Sequence, residues 1–148
     1  MRIVHEALWK AKAPCMFVGC CSATVLGNGH AAIYGGELFD AMIRDRTVLS
    51  DIGSSILLNG AEFGFQEIRS ARRPGKGGLA IFQNRSVVQQ DFVKHLMEIS
   101  LLSLFKWMDQ NPDIPVRLEH PGQSDDIKWI NQLTEEMLKT KNLTVCRP

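Results

Sequence analysis

The sequence predicts a layered α/β domain with helices on both faces of a parallel or mixed sheet. Three observations carry that expectation. Cys15 to Cys21 is a continuous apolar run bounded by Pro14 and Ser22, as required of a strand covered on both sides. Strand-like and helix-like segments then alternate along the chain, the pattern of a sheet with helices packed on it. Between the first buried strand and an amphipathic helix stands a glycine-bearing segment, Leu26 to Gly36.

Bulk properties bound the rest. At 148 residues, folding buries roughly two-thirds of the unfolded chain's surface, enough for one unaided core. One domain over residues 1–148 is therefore expected. Composition is ordinary, at 45% hydrophobic and 22% charged with net charge +1, so no global field draws the chain to nucleic acid or anionic lipid. Any charged site must be local. The cysteines Cys15, Cys20, Cys21 and Cys146 have the spacing of neither a zinc ribbon nor a dense disulfide framework. With no signal-peptide pattern and no apolar stretch of about 18 residues, the expectation is a reduced, soluble, cytoplasmic chain without membrane contact.

In chain order, Ile3-Val4 suggests a short first strand, and Ala7 to Ala13 fits a helical turn or an extended arm equally well. After the Cys15–Cys21 strand and the glycine segment, Leu38, Ala41 and Met42 lie at i, i+3, i+4 within a helix over Gly36 to Arg44. Ser54 to Leu58 and Gly78 to Phe82 are expected as strands, with a basic, glycine-containing turn between them. Ser86-Val87-Val88-Gln89 has the form of a capping box. It opens the longest helix, whose face is expected to carry Val88, Phe92, Leu96, Ile99, Ser103 and Leu104 until Asn111-Pro112 ends it. Pro115 to Glu119 comes next as a strand, Asp125 to Lys139 as a helix with acids in its first turn, and Leu143 to Cys146 as a closing strand.

The glycine segment is Leu26-Gly27-Asn28-Gly29-His30-Ala31-Ala32-Ile33-Tyr34-Gly35-Gly36. Glycines accept positive φ and let backbone N–H groups approach an anion, and a following helix adds its positive end. A surface loop whose glycines serve only turn geometry is the plain alternative. Gly27 to Ala32 also fits the G-x-G-x-x-A dinucleotide pattern, with Asp51 as a ribose acid. That fit is physically poor, because Gly35-Gly36 would interrupt the helix that should start at the first turn.

Thr24 to Ala41 resembles the first ligand loop and following helix of macrodomains. The downstream order is similar too: long helix from Ser86, strand Val116 to Glu119, loop His120-Pro121-Gly122-Gln123-Ser124, helix from Asp125, and closing strand at Leu143. The resemblance implies a three-layer α/β/α fold with a mixed, mostly parallel sheet. It also implies binding of ADP-ribose or a related nucleotide, with hydrolysis of an ADP-ribose linkage in some members. The residues it carries over are Gly35, Gly36 and Gly122 in the loops, with Ser22 and Asn28 as further polar ligands. Departures are plain: Ser22 stands where the family usually has asparagine, Glu37 flanks the first glycine pair, and Asp125-Asp126 come after the second loop. Carboxylates there oppose a diphosphate.

Arg69, Arg72, Arg73 and Lys76 form a basic stretch without an intervening acid. It lacks a Walker pattern and aromatic interleaving, which favours a solvated hairpin and disfavours nucleic acid. His5, His30, His95 and His120 have no metal-site spacing, so no metal and no cofactor is expected. His30 and His120 fall where open α/β sheets place ligands and are the acid/base candidates. Cys20 or Cys21 paired with either would make a nucleophile, but cysteines in an apolar strand are usually packing groups. Binding is thus the expectation, with catalysis left open because no compelling nucleophile or base emerges. Its competitor is a domain that keeps the fold, has lost the ligand, and acts through protein contacts, with a homo-oligomer as one form of them.

Overall fold

The computed structural model describes residues 2–11, 14–22, 27–29, 46–59, 64–73, 77–85, 94–120 and 142–146. Within them the elements are β1 (Arg2–Val4), β2 (Met16–Ser22), α1 (Arg46–Asn59), β3 (Phe65–Arg73), β4 (Gly77–Arg85), α2 (Lys94–Gln110), β5 (Val116–Glu119) and β6 (Leu143–Cys146). The strands form one sheet in the order β1-β6-β5-β2-β4-β3. All neighbours are parallel except β3, which pairs antiparallel with β4 at the edge. The sheet is mixed and mostly parallel, as expected.

Side-chain alternation along each central strand builds two cores. Cys15, Phe17, Leu79, Ile81, Ile68 and Cys146 pack with Ile52 and Ile56 of α1 and with Leu8 on one face. Met16, Val18, Ala80, Phe82, Val116, Leu118, Leu143 and Val145 pack on the other against Met97, Leu101, Leu104, Phe105 and Met108 of α2. Among the described residues no helix is long and apolar enough to cross a membrane.

Three expectations are corrected. Ser54 to Leu58 is not a strand but the end of α1. Only Ile56 of its apolar triplet enters the core, while Leu57 and Leu58 are 69% and 84% exposed. The stretch expected as a basic turn contains the first arm of a hairpin, since Phe65–Arg73 is strand β3. Its pairing with β4 slips between Ile68 and Arg73. The inward face of α2 is also rotated. Ser100 is buried and Ser103 is not, with Leu96, Met97, Leu101, Leu104, Phe105 and Met108 inside. The expected capping box and the expected helices at 36–44 and 125–139 lie outside the described residues.

A buried polar joint explains that rotation. Gln83 Oε1 accepts the Gly64 N–H at 2.9 Å, and Gly64 O accepts the Gln83 N–H at 2.8 Å. The Ser100 hydroxyl lies 2.6 Å from Gln83 O and 2.8 Å from Leu96 O, so its one proton is shared between sheet and helix. A buried hydroxyl without such partners costs about 1–3 kcal/mol, which sets the helix face. Gly64 itself has φ +89°, and a Cβ there would sit 3.0 Å from Ile99 Cγ2 and 3.1 Å from Ser100 Cα.

The segment after β1 is held by Arg117 of β5. Its Nε–H donates to Leu8 O at 2.9 Å, Nη2 to Ala7 O at 2.9 Å, and Nη1 to Glu6 Oε1 at 3.0 Å. These bonds seat Leu8 in the core, and Trp9 lies against Phe17 with ring centroids 5.2 Å apart.

These joints lead to two stability predictions. Gly64→Ala is expected to cost about 2 kcal/mol or more through strain at positive φ and crowding against α2. Gly27→Ala, where a Cβ meets open space, should stay within about 0.5 kcal/mol; equal urea midpoints for the two would contradict this. Arg117→Ala should cost about 2–4 kcal/mol by stranding two carbonyls and a carboxylate. Glu6→Gln, which keeps an acceptor on a partly exposed pair, should cost under about 1 kcal/mol. Thermal unfolding of both variants measures that split.

Candidate functional site

Open α/β sheets place ligands outside the carboxyl ends of their strands, where the strand order reverses. Here the reversal is at β2. The chain visits β4 on one side of it and then crosses to β5 on the other. Both flanking pairings change character at that end. Against β4 the register slips between Cys21 and Ser22, so that Cys21 pairs with Gln83 but Ser22 pairs with Arg85. A slip of this kind bends the strand and re-aims the chain beyond it.

Against β5 the ladder covers only Met16–Val18 with Val116–Leu118. Beyond it, a side chain takes over. Glu119 Oε2 accepts the Cys20 N–H at 2.8 Å, and Cys20 Sγ lies 3.5 Å from Glu119 O, to which it can donate. Glu119 is only 9% exposed, so the sheet keeps a buried carboxylate at the carboxyl end of β5, beside β2. The next residue, His120, donates its backbone N–H to Cys146 O at 2.9 Å, which ties the end of β5 to β6.

Of the residues expected from sequence, Ser22 is the last of β2, and His120 comes directly after β5, two strands that are neighbours in the sheet. Asn28 is exposed in a turn over 27–29, where Gly29 has φ +82°. His30, Gly35, Gly36 and Gly122 lie outside the described residues. Sequence reasoning missed Glu119, whose only signal was a carboxylate at the last position of a strand expected to be buried.

Among the described residues the groups at this end serve hydrogen bonding within the fold, with Glu119 accepting the Cys20 N–H. Cys20 donates to a carbonyl, the behaviour of a packing thiol. Cys15, Cys20 and Cys146 form no disulfide, and the described residues contain no cluster of three or more metal-ligating side chains.

The geometry defines a class first: an open, mostly parallel α/β sheet whose strand order reverses at a central strand. Comparison with known structures sharpens that to a particular fold. The chain superposes on the macrodomain of Mycobacterium tuberculosis DarG with a TM-score of 0.73 at 10% identity, covering 99% of this chain and 97% of that one. The macrodomain of Thermus aquaticus DarG gives 0.72 at 13% identity, with coverage of 99% and 97%. No family model and no curated protein sequence matches. The chain has a macrodomain-like fold.

Burial pushes the Cys15 thiol above its ordinary value of 9.0, with the Arg117 guanidinium partly offsetting the rise. A raised value in the folded state means stability held below pH 9 and lost as pH rises through the folded value. Cys15 is also 5% exposed whereas Cys20 is half-buried. Iodoacetamide at pH 8 should therefore alkylate Cys20 well before Cys15; mass mapping that showed equal rates would contradict this placement.

Proposed function

We propose that the carboxyl end of the sheet binds an ADP-ribose-type nucleotide derivative through the glycine-bearing loops that come after β2 and β5. The observation that supports it most is the near full-length likeness to two macrodomains, combined with an order reversal that sets the origins of those loops side by side. In this reading the diphosphate lies at Gly35-Gly36 and Gly122, where small residues leave backbone N–H groups accessible. Ser22 and Asn28 meet hydroxyls or base edges. His30 and His120 are the groups able to move a proton, and among the described residues no activated nucleophile accompanies them, so the reading stops at binding.

A second reading is favoured by one specific feature, the carboxylates Glu37, Asp125 and Asp126 in the loop sequences, which oppose a diphosphate. It holds that the fold persists without its nucleotide and works through protein contacts. Calorimetric titration with ADP-ribose, NAD and ADP separates the two. Saturable heat with ADP-ribose supports binding, and neither heat nor a thermal shift at about millimolar ligand sinks it. Gly36→Glu should then weaken binding about tenfold or more, by placing a side chain and a charge where the diphosphate lies, while leaving the thermal midpoint in place.

A further inference from the structure

At the opposite end of the sheet lies an open groove of about 610 Å³, within the roughly 300–1,000 Å³ of small-molecule sites. It sits on the face crossed by the segment after β1, where β2, β5 and β6 begin. Its apolar part comes from Ala11, Pro14, Cys15, Pro115 and Val116, and Asn142 and Thr144 add an amide and a hydroxyl. Its charge is unbalanced. Among the described residues Arg2, Lys10 and Arg117 line it with one carboxylate, Glu6, in a chain whose net charge is only +1.

Arg117 is the informative member. Its side chain is 9% exposed. A guanidinium has five N–H donors, and three are spent on Leu8, Ala7 and Glu6. The two others, one on each terminal nitrogen, are directed at no described residue. Glu6 neutralises this charge, whereas Arg2 and Lys10 are exposed and form no ion pair among the described residues. A buried guanidinium with donors to spare is suited to the planar, two-oxygen geometry of a carboxylate or phosphate, and the two cations of the rim add long-range attraction. A metal cation is opposed by the same charges.

We propose that this groove binds a small organic anion, a carboxylate or phosphate ester with a compact apolar body. The head group meets Arg117, and the body lies over Cys15, Pro115 and Val116. The site is at the opposite end of the sheet from the proposed nucleotide site and does not depend on any nucleotide binding there.

Amide NMR titration of the whole chain tests it, using phenyl phosphate, benzoate and phenol as probes. Saturable shifts at Lys10, Cys15, Val116 and Thr144 are expected with phenyl phosphate or benzoate, and weak, non-saturating ones with phenol, which has the body without the charge. Whichever anion binds more tightly identifies the head group. Arg2→Glu combined with Lys10→Glu alters only exposed side chains and should leave the spectrum folded while weakening binding about tenfold. No saturation with either anion by about 10 mM, equal binding of phenol, or unchanged affinity in the double variant would overturn the proposal.

Discussion

A strand whose side chains are packed on both faces can lie neither at a sheet edge nor under a single helical layer, and β2 is such a strand. Cys15 and Phe17 go to one core, Met16 and Val18 to the other. At about 1.5–3 kcal/mol for each large apolar side chain removed from water, leaving either face open would forfeit much of the folding free energy. Parallel neighbours on both sides meet this demand, because parallel pairing needs crossovers and the crossovers bring cover. The path from β2 to β4 brings α1 over the first face, and the path from β4 to β5 brings α2 over the second. The order reversal at β2 is thus tied to how the core is closed.

Polar groups then fix the position of elements that the apolar cores only attract. Hydrophobic burial is non-directional, so it would accept α2 rotated by part of a turn. The Gln83–Gly64–Ser100 joint does not. Two hydrogen bonds hold the residue before β3 to β4, and one hydroxyl ties that pair to the helix. Glycine at position 64 is required by the same joint, because its positive φ and its approach to Ile99 and Ser100 leave no room for a Cβ.

Much of this was legible in the sequence, and the parts that were not share a common cause. The Cys15–Cys21 run, the strands Val116–Glu119 and Leu143–Cys146, and the end of the long helix before Pro112 are local signals, and they hold. Ile56-Leu57-Leu58 misled because a short apolar run has no period that separates strand from helix. Strand β3 was missed because an edge strand buries little. Phe65 and Glu67 meet Trp107 across the face, and the remainder of its sequence is polar and basic apart from Ile68 and Ala71. The candidate site suffered most. Glu119 takes its partner 99 residues earlier in the chain, and Arg117 takes its own 109 to 111 residues earlier. No window of sequence contains such pairings.

Those two residues also show why one strand can serve both ends of the sheet. Arg117 and Glu119 alternate with Val116 and Leu118, so both point away from α2, separated by about 6.6 Å of strand. At that spacing a direct ion pair is conceivable, yet Arg117 pairs with Glu6 and Glu119 accepts from a backbone amide. Each charge is thereby satisfied by chain that is not its strand neighbour. Arg117 pins the N-terminal segment at the amino end, and Glu119 bridges the gap where β2 and β5 part at the carboxyl end. Had the two paired with each other, the carbonyls of Ala7 and Leu8 and the N–H of Cys20 would need other partners. The placing of Arg117 toward one end of β5 and Glu119 at the other is therefore part of how the fold satisfies its backbone.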